Sequence, residues 1–340
     1  MKVTIRDVAQ ACRVGITTVS RALNNQPGVS EATKVRIQKK AGELGYRPNL
    51  SAQRLRMANS NVIAVIIKGP TNPFFTELLE LIENRLRRDD YVVSIVRVLH
   101  DQDEVEAAAH AIAATKISGM ILLGGWFAAG QEGWDKVTVP AVLCTMPSVI
   151  GVDRESYSSV AVDDEQAMNL IVDHLVELGH ERIAFVGPEA GDESVGYIRL
   201  KHFISAMRAR GFEPDPELIL RGSNLDSPYS YEYGHLVTRS LIEERRDFTA
   251  VVGMTDATAV GAIRALADAG IRVPQDVAVT GFDGIDLTQY MSPRLTTITQ
   301  PIEDIVEKTC ESLIAQIDGG GHQHVILPGE LRVAESTAGQ

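Results

Sequence analysis

The sequence predicts a small all-α head followed by a larger α/β body built on doubly wound parallel sheets. Three observations predict it. Residues 1–60 carry 11 Lys/Arg against three acids, a balance of +8, which leaves −20 for the rest of a 340-residue chain of formal net charge −12. Within that basic stretch, apolar residues recur at helical spacing, which a merely solvated tail would lack. From Val62 onward, short apolar runs alternate with amphipathic stretches in a βα rhythm. A content of 44% hydrophobic and 23% charged residues is that of an ordinary globular chain, long enough for one small domain and one or two larger ones.

The head begins with Thr4 as a helix cap and Asp7 in the first turn, where an acid favours the positive end of the helix dipole. Ile5, Val8, Ala9 and Cys12 then form one apolar stripe. Gly15 suits a tight turn. A second short helix over residues 17–23 turns Val19, Ala22 and Leu23 inward and leaves Thr17, Thr18, Ser20, Arg21 and Asn24 outside. Ser30 caps a third helix, with Ile37, Ala41 and Leu44 inward, Lys34, Lys39 and Lys40 outward, and Gly45 at its end. Two short helices joined by a turn, the second bearing hydroxyls, an amide and a guanidinium, follow the helix-turn-helix plan. Such groups can read base edges in the major groove.

Residues 48–61 are polar and lack a strand pattern, and the stretch 51–56 could form a short helix that is marginal alone in water. A segment that folds only on its target is a natural switch. In the body, 62–67 is a continuous apolar run, as a strand buried on both faces needs. A helix from Pro73 to about Arg88, a strand over 91–96, a helix over 104–115 and strands over 119–123 and 139–144 follow. The rhythm restarts after Ser159, with a helix from about Asp164 to Gly179, strands over 183–186, 250–253 and 277–281, and helices ending near Arg210 and Ala269. About 280 residues of βα units exceed one sheet of ordinary size, so two lobes are expected. Ligands in such folds bind beyond the C-terminal ends of the strands.

Several function classes find no support. There is no Gly-x-Ser-x-Gly elbow, phosphate-binding P-loop or His-Glu-x-x-His, so no enzyme is indicated. Cys12, Cys144 and Cys310 fit neither a disulfide framework nor a zinc site. Asp163-Asp164-Glu165 opens a helix, where acids are favoured anyway, and His322-Gln323-His324 after three glycines reads as a loop. No metal or cofactor is expected. No apolar run is long enough to span a bilayer, and the N-terminal residues do not resemble a signal peptide, so the expected compartment is the cytoplasm.

The wording of the head resembles the lactose-repressor (LacI/GalR) family of bacterial transcription regulators. The resemblance is carried by Thr4-Ile5-Arg6-Asp7-Val8-Ala9, Thr17-Thr18-Val19-Ser20-Arg21-Ala22-Leu23-Asn24 and Leu44-Gly45-Tyr46-Arg47-Pro48-Asn49. In the body it continues through Asn72-Pro73-Phe74-Phe75, Thr255-Asp256-Ala257-Thr258, Gly281-Phe282-Asp283 and Leu295-Thr296-Thr297-Ile298-Thr299-Gln300-Pro301. It implies a helix-turn-helix domain at 1–46, a hinge at 47–60 and an effector-binding and dimerisation domain at 61–340. That domain is expected as two periplasmic-binding-protein-like lobes, the first over about 61–161 and 299–324, the second over about 162–298 and 325–340. It also implies a sequence-specific repressor that binds a pseudo-palindromic operator as a homodimer, under allosteric control by a sugar or sugar derivative.

By the same resemblance, Thr17, Thr18 and Arg21 are base readers, with Ser20 and Asn24 on the same exposed face, and Leu55 matches a leucine that wedges into a minor-groove base step. The implied effector residues are Phe74, Phe75, Trp126, Arg199, Asp256, Asp283 and Gln300. Each also has an ordinary reading: Phe74 as core, Asp256 as a helix cap, Asp283 as a turn former. Arg199 and Asp283 are expected to grip the ligand, and their removal to weaken binding while leaving the fold intact. Two positions depart from the family's pattern. Thr145 stands where an aspartate is frequent, and Val162 where an aromatic sometimes closes the pocket. They leave the identity of the ligand open.

Overall fold

The computed structural model describes residues 5–15, 18, 19, 22, 29–44, 61–68, 72–99, 102–125, 130–222 and 228–338. In the head, α1 (Ile5–Cys12) and α2 (Glu31–Glu43) pack with the helical residues Thr18, Val19 and Ala22. Val8, Ala9, Cys12, Val19, Ala22, Ile37 and Ala41 are buried in one small core, on the faces that the spacing predicts. The turn works differently from the expectation placed on Gly15. Arg13 takes the left-handed conformation, with φ 51°. The Gly15 carbonyl instead accepts from the Thr18 and Val19 amides at 3.0 and 3.1 Å and so starts the next helical stretch.

The body runs β1 (Val62–Lys68), α3 (Pro73–Arg87), β2 (Val92–Val98), α4 (Glu104–Ala114), β3 (Gly119–Leu123), α5 (Gly130–Trp134), β4 (Ala141–Cys144) and β5 (Ser158–Val162). It continues through α6 (Asp164–Glu177), β6 (Ile183–Val186), α7 (Val195–Ala209), β7 (Ile219–Leu220), α8 (Tyr231–Glu244), β8 (Ala250–Gly253), α9 (Asp256–Asp268) and β9 (Ala278–Asp283). Last come β10 (Thr296–Thr299), α10 (Ile302–Ile317), β11 (His324–Leu327) and β12 (Glu330–Arg332).

Two six-stranded sheets result, in the orders β11-β5-β4-β3-β1-β2 and β12-β10-β9-β8-β6-β7. All pairings are parallel except that of β12 with β10. The central strands are buried along their length, as strands covered on both faces must be. The edge strand β2 is partly exposed, with Val92 at 55%.

The chain crosses between sheets three times: after β5, between β10 and α10, and between β11 and β12. The third crossing therefore follows Leu327. The expectation of a boundary at 324/325 placed it too early, because β11 still pairs with β5, His324 to Ser159 through Leu327 to Val162. Each lobe has its own apolar packing, and side chains of the second lobe reach across. Val195 joins the first-lobe core around Tyr157, and Ile285 that around Phe74 and Phe75.

Helices α8 and α9 touch backbone to backbone. A Cβ on Gly261 would lie 2.1 Å from the Tyr231 carbonyl oxygen, and one on Gly234 2.1 Å from that of Thr258. Gly-to-Ala in a helix ordinarily adds up to about 1 kcal/mol of stability. Here the sign should reverse, because two backbones would have to part. Gly261→Ala is expected to destabilise the second lobe by about 3 kcal/mol, the upper end for overpacking, as read from urea unfolding.

Candidate effector cleft

The C-terminal ends of strands from both sheets face a common cleft with an empty volume of about 600 Å³, its mouth to solvent included. The first lobe contributes Lys68 at the end of β1, Asn72, Phe74 and Phe75 at the start of α3, Gly124 and Gly125 after β3, and Thr145 after β4. The second contributes Asp192, Ser194, Val195 and Arg199 around the start of α7, Tyr229, Thr255, Asp283 at the end of β9, and Gln300 after β10. Topology alone puts these residues together, since strand ends in a doubly wound sheet converge on one edge.

Arg199 is the centre of the second-lobe wall and is 2% exposed. Its Nε donates to Asp164 Oδ1 at 3.0 Å, its Nη1 donates to the Met254 carbonyl at 2.7 Å, and Nη1 lies 3.5 Å from Asp283 Oδ1. The guanidinium carbon sits 3.5 Å above the centre of the Phe282 ring, a stacked arrangement that suits a planar cation. Asp283 also accepts from Gln300 Nε2 at 2.8 Å and, on its other oxygen, from Asn72 Nδ2 at 3.1 Å. The Asn72 bond links the two lobes directly. Burial pushes the carboxyls of Asp164 and Asp283 up, and Arg199 draws both back down.

The rest of the wall is also internally paired. Lys68 Nζ donates to Glu104 Oε2 and to the Gln102 carbonyl, both at 2.7 Å, with Lys68 8% and Glu104 2% exposed. Asp192 Oδ1 accepts from the Ser194 amide at 2.7 Å, and its Oδ2 accepts from the Tyr229 hydroxyl at 3.2 Å. Burial, with Asp192 adjacent, holds the Tyr229 phenol well above its ordinary pKa and therefore neutral. Two polar atoms are different. Thr145 Oγ1 and Gln300 Oε1 are buried without a hydrogen-bond partner among the described residues. An orphaned polar atom in a cleft wall costs free energy that a ligand could recover.

Gly124 has a steric reason to be glycine. It has φ +68°, and a Cβ there would meet the Phe75 ring at 2.8 Å. The ring can thus press against the loop after β3 and form the floor of the cleft.

Of the residues expected to hold an effector, Phe74, Phe75, Arg199, Asp283 and Gln300 line this cleft. Asp256 does not. It is fully buried, and its Oδ2 accepts from the Gly284 and Ile285 amides at 2.7 and 2.8 Å while Oδ1 accepts from the Thr297 hydroxyl at 2.5 Å. It clamps the turn after Asp283, which itself has φ 123°, and so positions Asp283. Val162, at the end of β5 in the first sheet, packs its side chain into the second-lobe core and is not part of the wall. Trp126 lies outside the described residues, as do Thr17, Ser20, Arg21, Asn24 and Leu55. Thr18 is helical and half-buried.

Lys68, Asp164, Asp192, Ser194 and Tyr229 were not anticipated. Among the described residues, no group of three His, Cys, Asp or Glu side chains is placed to hold a metal, and no helix is long and apolar enough to cross a membrane.

Comparison with known proteins places this architecture. The profile described as "Bacterial regulatory proteins, lacI family" matches residues 4–49, and that of a periplasmic binding protein-like domain matches 172–337. The HTH-type transcriptional regulator MalR of Clostridium butyricum is 33% identical over 334 residues, covering 96% of this chain and 97% of its own. The chain belongs to the LacI family. The HTH-type transcriptional repressor CytR of Escherichia coli, also 33% identical, covers 95% of this chain and 91% of its own. Two solved structures share the fold over nearly the whole length. The complex of the transcriptional regulator CelR with cellobiose has a TM-score of 0.73 at 27% identity, covering 98% of this chain and 100% of its own. The Lac repressor dimer bound to operator and the anti-inducer ONPF has 0.69 at 26%, covering 99% of each. As a LacI-family protein this chain is a DNA-binding transcription regulator: the matched head is the family's helix-turn-helix, and the two lobes are its periplasmic-binding-protein-like body.

Proposed function

We propose that this chain is a homodimeric repressor, acting in the cytoplasm, whose affinity for a pseudo-palindromic operator is set by a sugar or sugar derivative bound in the interlobe cleft. The observation that carries this reading is the wall itself. Arg199 on α7 lies 3.5 Å from Asp283 at the end of β9, and Thr145 and Gln300 present buried polar atoms with no partner among the described residues. Relatives support it: CelR is known as a cellobiose complex, and a LacI-family regulator of Enterococcus faecium as a ribose complex.

Phe74, Phe75 and Trp126 supply apolar and aromatic surface, while Arg199, Asp283 and Gln300 bond hydroxyls. Asp256 acts through Asp283 and does not touch the ligand. Closure of the lobes alters the spacing of the two hinge segments in a dimer and therefore their stability on DNA, and linkage makes the effect reciprocal. The test is operator affinity of the full chain, on a site selected from random DNA, with and without a panel of sugars. Affinity that no sugar changes, over concentrations up to tens of millimolar, would remove the sensor role.

On the DNA side, Thr17, Thr18 and Arg21 read bases, Ser20 and Asn24 lie on the same face, and Leu55 enters the minor groove. Arg21→Ala is expected to lose about 1–3 kcal/mol of operator affinity and to relax preference at one base pair. A loss that is equal on all sequences, with a shallower salt dependence, would reassign Arg21 to phosphate. Leu55→Ala should reduce DNA bending in a gel-phasing assay while leaving effector affinity unchanged.

A further inference from the structure

Resting on the effector reading above, we propose that the cleft accepts uncharged polyhydroxylated ligands and rejects phosphorylated and acidic sugars, because the protein's own carboxyls already pair both cations of the wall and outnumber them.

Three kinds of position in a protein cleft attract an anion: a free lysine, a free arginine, and the start of a helix. Both cations are already paired here, and a polar side chain stands at each helix start. Lys68 is held by Glu104 at 2.7 Å. Arg199 lies between Asp164 at 3.0 Å and Asp283 at 3.5 Å. The start of α7 lines the cleft, and the Asp192 carboxylate stands just ahead of it, accepting from the Ser194 amide. The start of α3 is capped by Asn72 Oδ1, which accepts from the Phe74 amide at 3.1 Å. Around the described wall, four carboxyls therefore stand against two cations. One of the four could be protonated and the balance would still not be positive. The segments outside the described residues that adjoin wall residues in sequence, 69–71, 126–129 and 223–227, contain no Lys or Arg. They cannot supply a cation.

The groups with unspent hydrogen-bonding capacity point the same way. Gln300 Nε2 is committed to Asp283, so the free atom of that amide is the acceptor Oε1. Thr145 Oγ1 can give or take one hydrogen bond. The lone pairs left on Asp192 and Asp283 only accept. Such a wall matches hydroxyls that donate. A phosphate or carboxylate brings added negative charge and further acceptors, and would meet more fixed carboxyls than cations in a low-dielectric cleft.

The experiment pairs each neutral sugar with its charged counterpart on the full-length protein: glucose with glucose 6-phosphate and gluconate, and ribose with ribose 5-phosphate. Cellobiose and maltose extend the neutral arm. Binding is read by calorimetry, and a separate titration compares inorganic phosphate with chloride at equal ionic strength by the body's melting temperature. The expected result is a neutral ligand that binds at least about 100-fold more tightly than its phosphorylated or acid form, and no saturable shift with phosphate. Asp192→Asn should narrow that gap, by removing one of the four carboxyls. Thr145→Val keeps the side-chain volume and should weaken the neutral ligand by about tenfold.

A phosphorylated or acid sugar that binds as tightly as its neutral partner overturns the proposal and leaves the sugar reading standing. So does a saturable phosphate shift that either variant alters. If no sugar of any kind binds, the sugar reading fails, and the phosphate titration still decides the charge filter.

Discussion

Arg199→Ala is expected to destabilise the second lobe by about 3–5 kcal/mol at neutral pH, in addition to weakening effector binding by about ten- to a hundred-fold. From sequence alone the residue reads as a ligand grip that the fold can spare. The structure gives it a second role. Its partners Asp164 and Asp283 are 4% and 3% exposed, and without the guanidinium both are buried charges with no counterion. Removing one member of a buried ion pair costs far more than the pair contributes net, because the stranded charge is still desolvated.

The pH dependence follows from the direction of the carboxyl shifts. Burial already raises Asp164 and Asp283 above their ordinary values, and loss of Arg199 raises them further. A carboxyl raised in the folded state holds more protons folded than unfolded, so stability falls as pH rises above about 4. The R199A defect should therefore be largest near pH 8 and smaller near pH 5, in urea melts at the two pH values. Asp164→Ala in the R199A background should restore part of the loss. A variant as stable as the parent at both pH values would mean that water reaches these carboxylates, and the wall would then not be the dry surface that the binding argument needs.

Much of this organisation was legible locally. Strands such as Gly119–Leu123, Ile183–Val186 and Ala250–Gly253 are runs of small and branched apolar residues that the sheet buries on both faces, and the pattern reads directly. The final third reads less well. Helices α8 and α10 and strands β10–β12 were not anticipated. Helix α8 packs through Gly234, so its contact face carries no apolar stripe there, and β12 is three residues long and only half-buried. The cleft was legible in part, for a physical reason. Phe74, Asp283 and Gln300 follow strand ends or helix starts that can be read in sequence. Asp164 reads equally well as an acid favoured at a helix start, and its partner Arg199 is 35 residues away. Only the fold shows that the side chain turns to a cation and leaves its own helix to Asp163, which caps it. Asp256 is the converse case: its strand-end position suggests a ligand, but two of its three hydrogen bonds are spent on the turn after Asp283 and the third on Thr297 of β10.

A protein of residues 61–340 is expected to lose sequence-specific operator binding entirely while keeping dimerisation and the response to effector. The body should fold without the head, because among the described residues the three apolar cores of the lobes contain none from the head, and the head's core contains none from the body. The two parts also differ in sign: the 60 residues removed carry +8, and what remains carries −20. Phosphate attraction supplies nearly all of non-specific DNA affinity, so its loss removes the platform on which base reading acts. Specific sites are ordinarily bound about 10³–10⁷ times more tightly than random DNA, and that whole ratio should collapse to one, with residual binding below that of the full chain on any sequence. The measurement is fluorescence anisotropy on the selected operator and a scrambled duplex at two salt concentrations, alongside calorimetry with the effector. Preference for the operator by the truncated protein would place base-reading residues in the lobes. Loss of effector binding on truncation would mean that head and cleft fold as one unit, against the separation of their cores.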